Sequence, residues 1–330
     1  MALFKKSILL LSIAYCYPSL YSQQKDSIPQ KTIAFITDKF PITRVLNIEY
    51  NRLAPYHYSS AFLNENLSEN KIDNWQQAKI SANIPLVTKK QWHLSYLLNY
   101  RFTAADISLS NSTATENSFS SLHKFHYHSS AISIAYFSKL FNKMVIYSGS
   151  FIADGSENHV ERFRGLATAN LVVKANQQTK MAVGLAAMID PTVQIPVIAT
   201  FSYEHRFNNN WIIDLVLPKR AYLKKNILSD GRISIGSELE STSFYMYQLN
   251  GISKKYEYRQ TEINSGIMYE HYLGNSCVIT FKSGLQNVIT GRIFEKNKSF
   301  NSYILEAKPK PTVYFQAGFS FNPFMKSSKK

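Results

Sequence analysis

Apolar and polar residues alternate with a period of two along most of this 330-residue chain, and that pattern constrains its fold more than any other feature. Successive side chains of a β-strand point to opposite faces, so strict alternation describes strands with one apolar and one polar side. Trp92, Leu94, Tyr96, Leu98, Tyr100 and Phe102 form an apolar series, with His93, Ser95, Asn99, Arg101 and Thr103 set between them. From Ile195, the residues Ile195, Val197, Ala199, Phe201, Tyr203 and Phe207 alternate with Thr200, Ser202, Glu204 and Arg206. Near the end, Val313, Phe315, Ala317, Phe319 and Phe321 alternate with Tyr314, Gln316, Gly318, Ser320 and Asn322.

Fourteen such runs are expected, at about 44–57, 72–87, 90–104, 122–140, 143–153, 162–175, 180–189, 195–207, 211–217, 221–228, 232–247, 257–273, 276–286 and 312–322. Tight turns at 88–91, 141–143, 176–179, 208–210, 229–231 and 274–275 alternate with mostly longer connections at 58–72, 104–122, 153–162, 190–194, 218–220, 248–256 and 287–311. Short turns at one end and longer loops at the other characterise bacterial membrane barrels, which carry an even number of strands. Pro218 interrupts the pair 211–217 and 221–228, so twelve strands is the alternative count.

The charged residues of the clear strands, Glu49, Arg101, Arg164, Glu204, Asp214, Glu262 and Lys282, fall on the less apolar face. A charge facing lipid at the bilayer midplane costs roughly 2–4 kcal/mol, so that face is expected to line a lumen. A soluble sandwich gives no reason for the alternation of loop lengths. The expected fold is therefore all-β: one transmembrane antiparallel β-barrel over residues 44–322.

Lys5 and Lys6, the apolar run Ile8 to Ala14 and the small Ser22 read as an export signal over residues 1–22. Residues 23–43 are then a periplasmic segment and a candidate plug, and 323–330 a basic tail. Outer-membrane barrels commonly stop at a terminal aromatic residue, a pattern from which this tail departs. No apolar run of about 18 residues follows the signal, which excludes a helical inner-membrane protein. Of the two cysteines, Cys16 falls in the signal and Cys277 is left without an internal partner, so stability rests on packing and strand pairing. The formal charge of +15 is scattered along the chain instead of gathered in a stripe, which argues against a nucleic-acid partner.

The segments Tyr136-Phe137-Ser138-Lys139-Leu140-Phe141-Asn142-Lys143, Ile152-Ala153-Asp154-Gly155-Ser156, Phe201-Ser202-Tyr203-Glu204-His205-Arg206-Phe207-Asn208, Leu217-Pro218-Lys219-Arg220 and Gly291-Arg292-Ile293-Phe294-Glu295-Lys296 resemble those of an uncharacterised Gram-negative outer-membrane β-barrel family. The resemblance covers about Phe40 to Phe324. It implies the barrel fold and the outer-membrane location, and it brings neither catalytic residues nor a substrate.

Glu204 and Arg206 share a strand face with Thr200 and Ser202, and Asp214 is expected across the next turn, which predicts a lumenal ion-pair ladder. The lumenal candidates are Glu49, Arg101, Arg164, Glu204, Arg206, Asp214, Glu262 and Lys282. A serine hydrolase needs histidine within hydrogen-bond reach of the serine and a third group to orient it. His57 with Ser59, and His126 and His128 with Ser129, are the only candidates, at spacings that are not specific. His123, His126 and His128 lack an acidic or cysteine partner at a recognised metal-ligand spacing. Phosphate-binding glycine motifs are absent, so no cofactor is expected. Tyr50, Tyr56, Tyr58, Tyr100, Phe102, Tyr136, Phe137, Tyr203, Phe207 and Trp211 suit aromatic girdles at the membrane interfaces.

About fourteen strands enclose more space than the side chains of an eight-stranded barrel fill. The leading expectation is a passive or facilitated channel for small solutes, of unknown cargo. The alternatives are a lipid-modifying hydrolase and a non-conducting structural or assembly barrel. Expected partners are outer-membrane lipid, lipopolysaccharide and the barrel-assembly machinery.

Overall fold

The computed structural model describes residues 40, 44–63, 65–109, 119–190, 192–193, 195–247, 254–274 and 276–323. The expected signal, the segment 23–43 apart from Phe40, and most of the basic tail lie outside the described residues.

The alternating runs become β1 (Leu46–Leu53), β2 (Tyr56–Phe62), β3 (Glu65–Thr88), β4 (Trp92–Leu109), β5 (Phe119–Leu140), β6 (Lys143–Gly155), β7 (Val160–Ala175) and β8 (Thr179–Ile189). They continue as β9 (Val197–Arg206), β10 (Trp211–Leu217), β11 (Arg220–Ile227), β12 (Gly231–Tyr247), β13 (Lys255–Gly274), β14 (Cys277–Glu295), β15 (Tyr303–Pro309) and β16 (Thr312–Phe321). Neighbours in sequence pair antiparallel, and β1 closes the sheet by pairing with both β3 and β16. β2 continues β1 along β3 and meets β15, which continues β16 along β14.

The sixteen segments are therefore fourteen staves of a closed barrel. The two broken staves are interrupted at Ala54–Pro55 and Lys310–Pro311, where proline has no N–H for the ladder. The Ala54 N–H bonds the Val313 carbonyl at 2.9 Å and the Thr312 hydroxyl bonds the Ala54 carbonyl at 3.0 Å, which stitches the breaks together. All fourteen expected strands are present, including the weakest pair. Pro218 sits in the two-residue turn between β10 and β11, where no ladder bond is lost.

The faces are inverted relative to a soluble protein. Outward Ile132, Phe151, Leu185, Ile235, Ile267 and Leu285 are exposed, whereas inward Gln77, Thr103, Ser234, Asn264 and Gln316 are buried. Apolar outside and polar inside is the arrangement of a transmembrane barrel.

The turns at one rim, here the inner rim, run from two to four residues. At the outer rim most of the loops are shorter than the sequence suggests. The expected loop 58–72 shrinks to residues 63–64, and β14 and β15 take up much of 287–311. From Glu65 to Lys71 nearly every residue is polar, so alternation fades there while the backbone ladder continues.

Two features break the cylinder. The hairpin β10–β11 is short, and its tip ends level with Glu238, where Arg220 pairs in register and the Lys219 carbonyl accepts the Leu239 N–H at 2.7 Å. Beyond that point β12 has no partner strand on its β11 side among the described residues. There β12 and β13 turn inward. Phe244 and its neighbour Tyr245 are both buried, as are Tyr256 and its neighbour Glu257. Adjacent strand residues point opposite ways, so both faces of this hairpin are covered. Its even-numbered face reaches β5, seven staves away in either direction around the wall.

Candidate lumenal site

The inward-turned part of β12–β13 divides the outer half of the lumen into an apolar and a charged layer. On its even-numbered side Phe244 stacks on Phe125 with ring centroids 4.0 Å apart and on Tyr258 at 4.8 Å. Leu53, Tyr56, Ile72, Trp75, Ala105 and Tyr314 complete this buried cluster. Tyr56, expected in an interfacial girdle, points inward instead. The broken stave β1–β2 brings it beside Leu53 and Trp75, a contact invisible to periodicity. Tyr50, Tyr100 and Phe207 do lie exposed on the outside, and Trp92 pairs with Tyr136 at 4.4 Å near the inner rim.

On the odd-numbered side the contacts are ionic. Arg162 of β7 donates to both carboxylate oxygens of Glu257 at 2.8 and 3.2 Å and to the Thr192 hydroxyl at 2.9 Å. Arg259 donates to Glu257 at 2.7 Å and to the Thr192 hydroxyl at 2.8 Å. Asp190 accepts from the Thr192 N–H at 2.9 Å and from its hydroxyl at 2.7 Å. Burial works against ionising Asp190, but those two hydrogen bonds and the charges of Arg162 and Arg259 hold its carboxyl below the usual range. Asp154 takes Arg164 at 2.5 Å and the Tyr245 hydroxyl. Tyr247 and Lys255 reach Glu161 at 2.9 and 3.0 Å. A charge this deeply buried requires its partner, and removing one member of such a pair costs about 3–5 kcal/mol.

Toward the inner rim the lumen opens into a cavity of about 490 Å³. Arg44, Lys219, Arg220, Lys224, Arg232 and Lys282 line it, together with Glu49, Glu238, Glu240 and Glu270. Glu270 accepts from both Arg44 and Arg232, the latter at 2.8 Å. Asp214 faces Lys224 at 2.5 Å and Arg220 at 3.2 Å. Lys282 meets Glu238, and Lys79 crosses the lumen from β3 to Glu240 at 2.6 Å. Phe40, from the expected plug segment, is buried with its ring 4.5 Å from the Arg232 guanidinium, which also donates to its carbonyl at 3.1 Å.

The eight sequence candidates therefore do not form one site. Glu49 and Lys282 line the cavity. Arg101 spans the lumen to the Ser241 carbonyl at 3.0 Å, and Glu262 accepts from Thr242 at 2.9 Å. Arg164 belongs to the outer charged layer. Glu204, Arg206 and Asp214 are not one ladder. Asp214 faces Glu204 in register, yet Glu204 pairs with Lys180 and Arg206 at 3.2 and 3.1 Å, whereas Asp214 takes the β11 cations. Two facing carboxylates repel, so each recruits cations of its own.

Sequence reading missed Arg162, Glu257, Arg259, Asp190 and Thr192. The charges of Arg162 and Arg164, and of Glu257 and Arg259, recur at a spacing of two and so were visible as faces, but their mutual contact depends on the inward hairpin. The hydrolase candidates are dispersed: His57 and Ser59 are exposed, the His126 ring meets the Tyr100 hydroxyl at 2.8 Å, and Ser129 accepts from Asn99 at 3.4 Å. Among the described residues no group of three His, Cys, Asp or Glu side chains is placed to hold a metal ion.

No protein-family model matches the chain, and no curated protein matches it in sequence. Solved structures similar to it include an outer membrane channel from Pseudomonas putida, at 9% identity and a TM-score of 0.35, covering 91% of this chain and 99% of that one. The Pseudomonas putida toluene transporter TodX is similar at 10% identity and a TM-score of 0.40, covering 90% and 92%. A Pseudomonas aeruginosa FadL homologue follows at 7% identity and 0.30, covering 86% and 91%.

Proposed function

We propose that this barrel sits in the bacterial outer membrane, its belt against lipid and lipopolysaccharide after export and insertion by the barrel-assembly machinery, and that it passes small solutes. The observation that carries this reading is the 490 Å³ charged cavity inside a wall whose outer surface is apolar. An apolar belt has a lower free energy in hydrocarbon than in water, and a wet, charged interior suits a polar cargo. Six cations against four carboxylates on the cavity wall favour anionic solutes.

The layers that fill the outer half of the lumen favour a second reading, a barrel that never conducts and serves a structural role. Conductance of the folded protein in planar bilayers separates the two. Discrete current steps are expected for a solute channel. Silence from a barrel shown to be folded by its heat-dependent gel shift would leave the structural reading.

A further inference from the structure

We infer that the outer parts of β12 and β13 form a hinged gate across the lumen, an inference that rests on the channel reading above. Three observations place it there. First, this hairpin lies inside the barrel, between Phe125 on one side and Arg162 on the other, so it blocks the route from the cavity to the outer rim. Second, it is tethered to the wall along one side only. Beyond Glu238, β12 has no ladder partner toward β11 among the described residues. On the other side β13 stays laddered to β14 from Tyr256 to Thr261, so the hairpin's strand attachment to the wall runs through the outer part of β14, which itself leaves β16 at Gln286 and rejoins β15 only at Arg292.

Third, the wall carries a crease where the hairpin begins to turn. Gly236 faces Gly266, and Gly266 faces Gly284, in register across three adjacent strands. A Cβ on Gly266 would stand 2.1 Å from the Ser283 carbonyl oxygen, and one on Gly284 would stand 2.0 Å from the Ser265 oxygen. Only glycine fits the bend at this close approach of backbones. A row without side chains also concentrates bending along one line.

The two faces of the hairpin are fastened by different chemistry. The aromatic face adheres by stacking and apolar contact. The charged face adheres through the two-pronged pair of Arg162 and Glu257 and through Thr192. Swinging the hairpin toward the plane of the wall separates Phe244 from Phe125 and Glu257 from Arg162, and joins the inner cavity to the outer rim. The closed state is thus a balance of local contacts that single substitutions can shift.

Locking the hairpin tests this. In the full chain, with Cys16 and Cys277 both replaced by Ser, Phe125→Cys and Phe244→Cys are introduced together and single-channel currents are recorded before and after reduction. The oxidised protein is expected to conduct at least tenfold less often than the reduced one. Equal currents in both states, with the disulfide verified by mass, would overturn the gate and leave the channel reading intact. A folded barrel that conducts in neither state would overturn both. Glu257→Gln gives a second readout that needs no disulfide: its open fraction is expected to rise severalfold over the unmodified chain, and an unchanged open fraction would overturn the gate.

Discussion

Phe125 and Phe244 stack at 4.0 Å although their strands stand on opposite sides of a fourteen-stave barrel. A cylinder of that size keeps opposite walls apart, so the contact requires one wall to enter the lumen. The stacked pair is therefore part of what closes the outer half, and it has consequences for stability as well as for conduction.

Phe244→Ala removes a buried ring from the centre of the aromatic cluster. The expected loss is about 3–5 kcal/mol, combining the transfer term with the cavity left behind. Urea unfolding in detergent micelles measures it, and Trp75 in the same cluster supplies a fluorescence signal. Ile235→Ala, on the exposed outer face, is expected to change the midpoint far less in the same micelles.

Arg162→Ala leaves Glu257 without its two-pronged partner beside the carboxylates of Asp154 and Asp190. Breaking a buried pair in this way is expected to cost about 3–5 kcal/mol. Arg162→Lys keeps the charge but loses the planar fork, so it is expected to recover only part of that loss. Thermal unfolding of the two variants side by side gives the ordering, and equal destabilisation would show that charge is not what Arg162 supplies.

Asp190 couples the outer rim to pH. Its carboxyl is held below its ordinary value when folded, so the stabilisation is complete above the unfolded value and is lost as pH falls through the lowered folded value. Acidification below the usual carboxylate range is therefore expected to release the segment around Thr192. The protection factor against hydrogen exchange of the Thr192 amide, bonded to Asp190 at 2.9 Å, is expected to fall there, and Asp190→Asn is expected to flatten that response.

Lys219 lines the cavity and is exposed, at the tip of the short β10–β11 hairpin. In a salt gradient the unmodified channel is expected to show a reversal potential of anion-preferring sign. Lys219→Glu changes the wall from six cations and four carboxylates toward five and five, and is expected to move that potential toward zero with little change in stability. A cation-preferring potential in the unmodified protein would exclude the anionic cargo while leaving conduction itself established.

Alternation along the chain is enough to specify the fourteen staves, the apolar outer side of the wall and the two kinds of rim. Alternation records a local contrast, lipid on one side of a strand and a wet lumen on the other, and that contrast is written residue by residue. The series from Trp92 to Phe102 and from Val313 to Phe321 needed no knowledge of their neighbours. Long-range packing sets the rest: β12 and β13 leave the wall, Tyr56 turns inward, and Asp214 takes Lys224 and Arg220 instead of joining a ladder with Arg206. Phe244 beside Tyr245, and Tyr256 beside Glu257, read as ordinary two-faced strand because periodicity cannot tell lipid from another protein layer. Arg162 and Glu257 lie 95 residues apart, and their meeting depends on closure of the whole barrel and on the inward bend, neither of which is a local property of the chain.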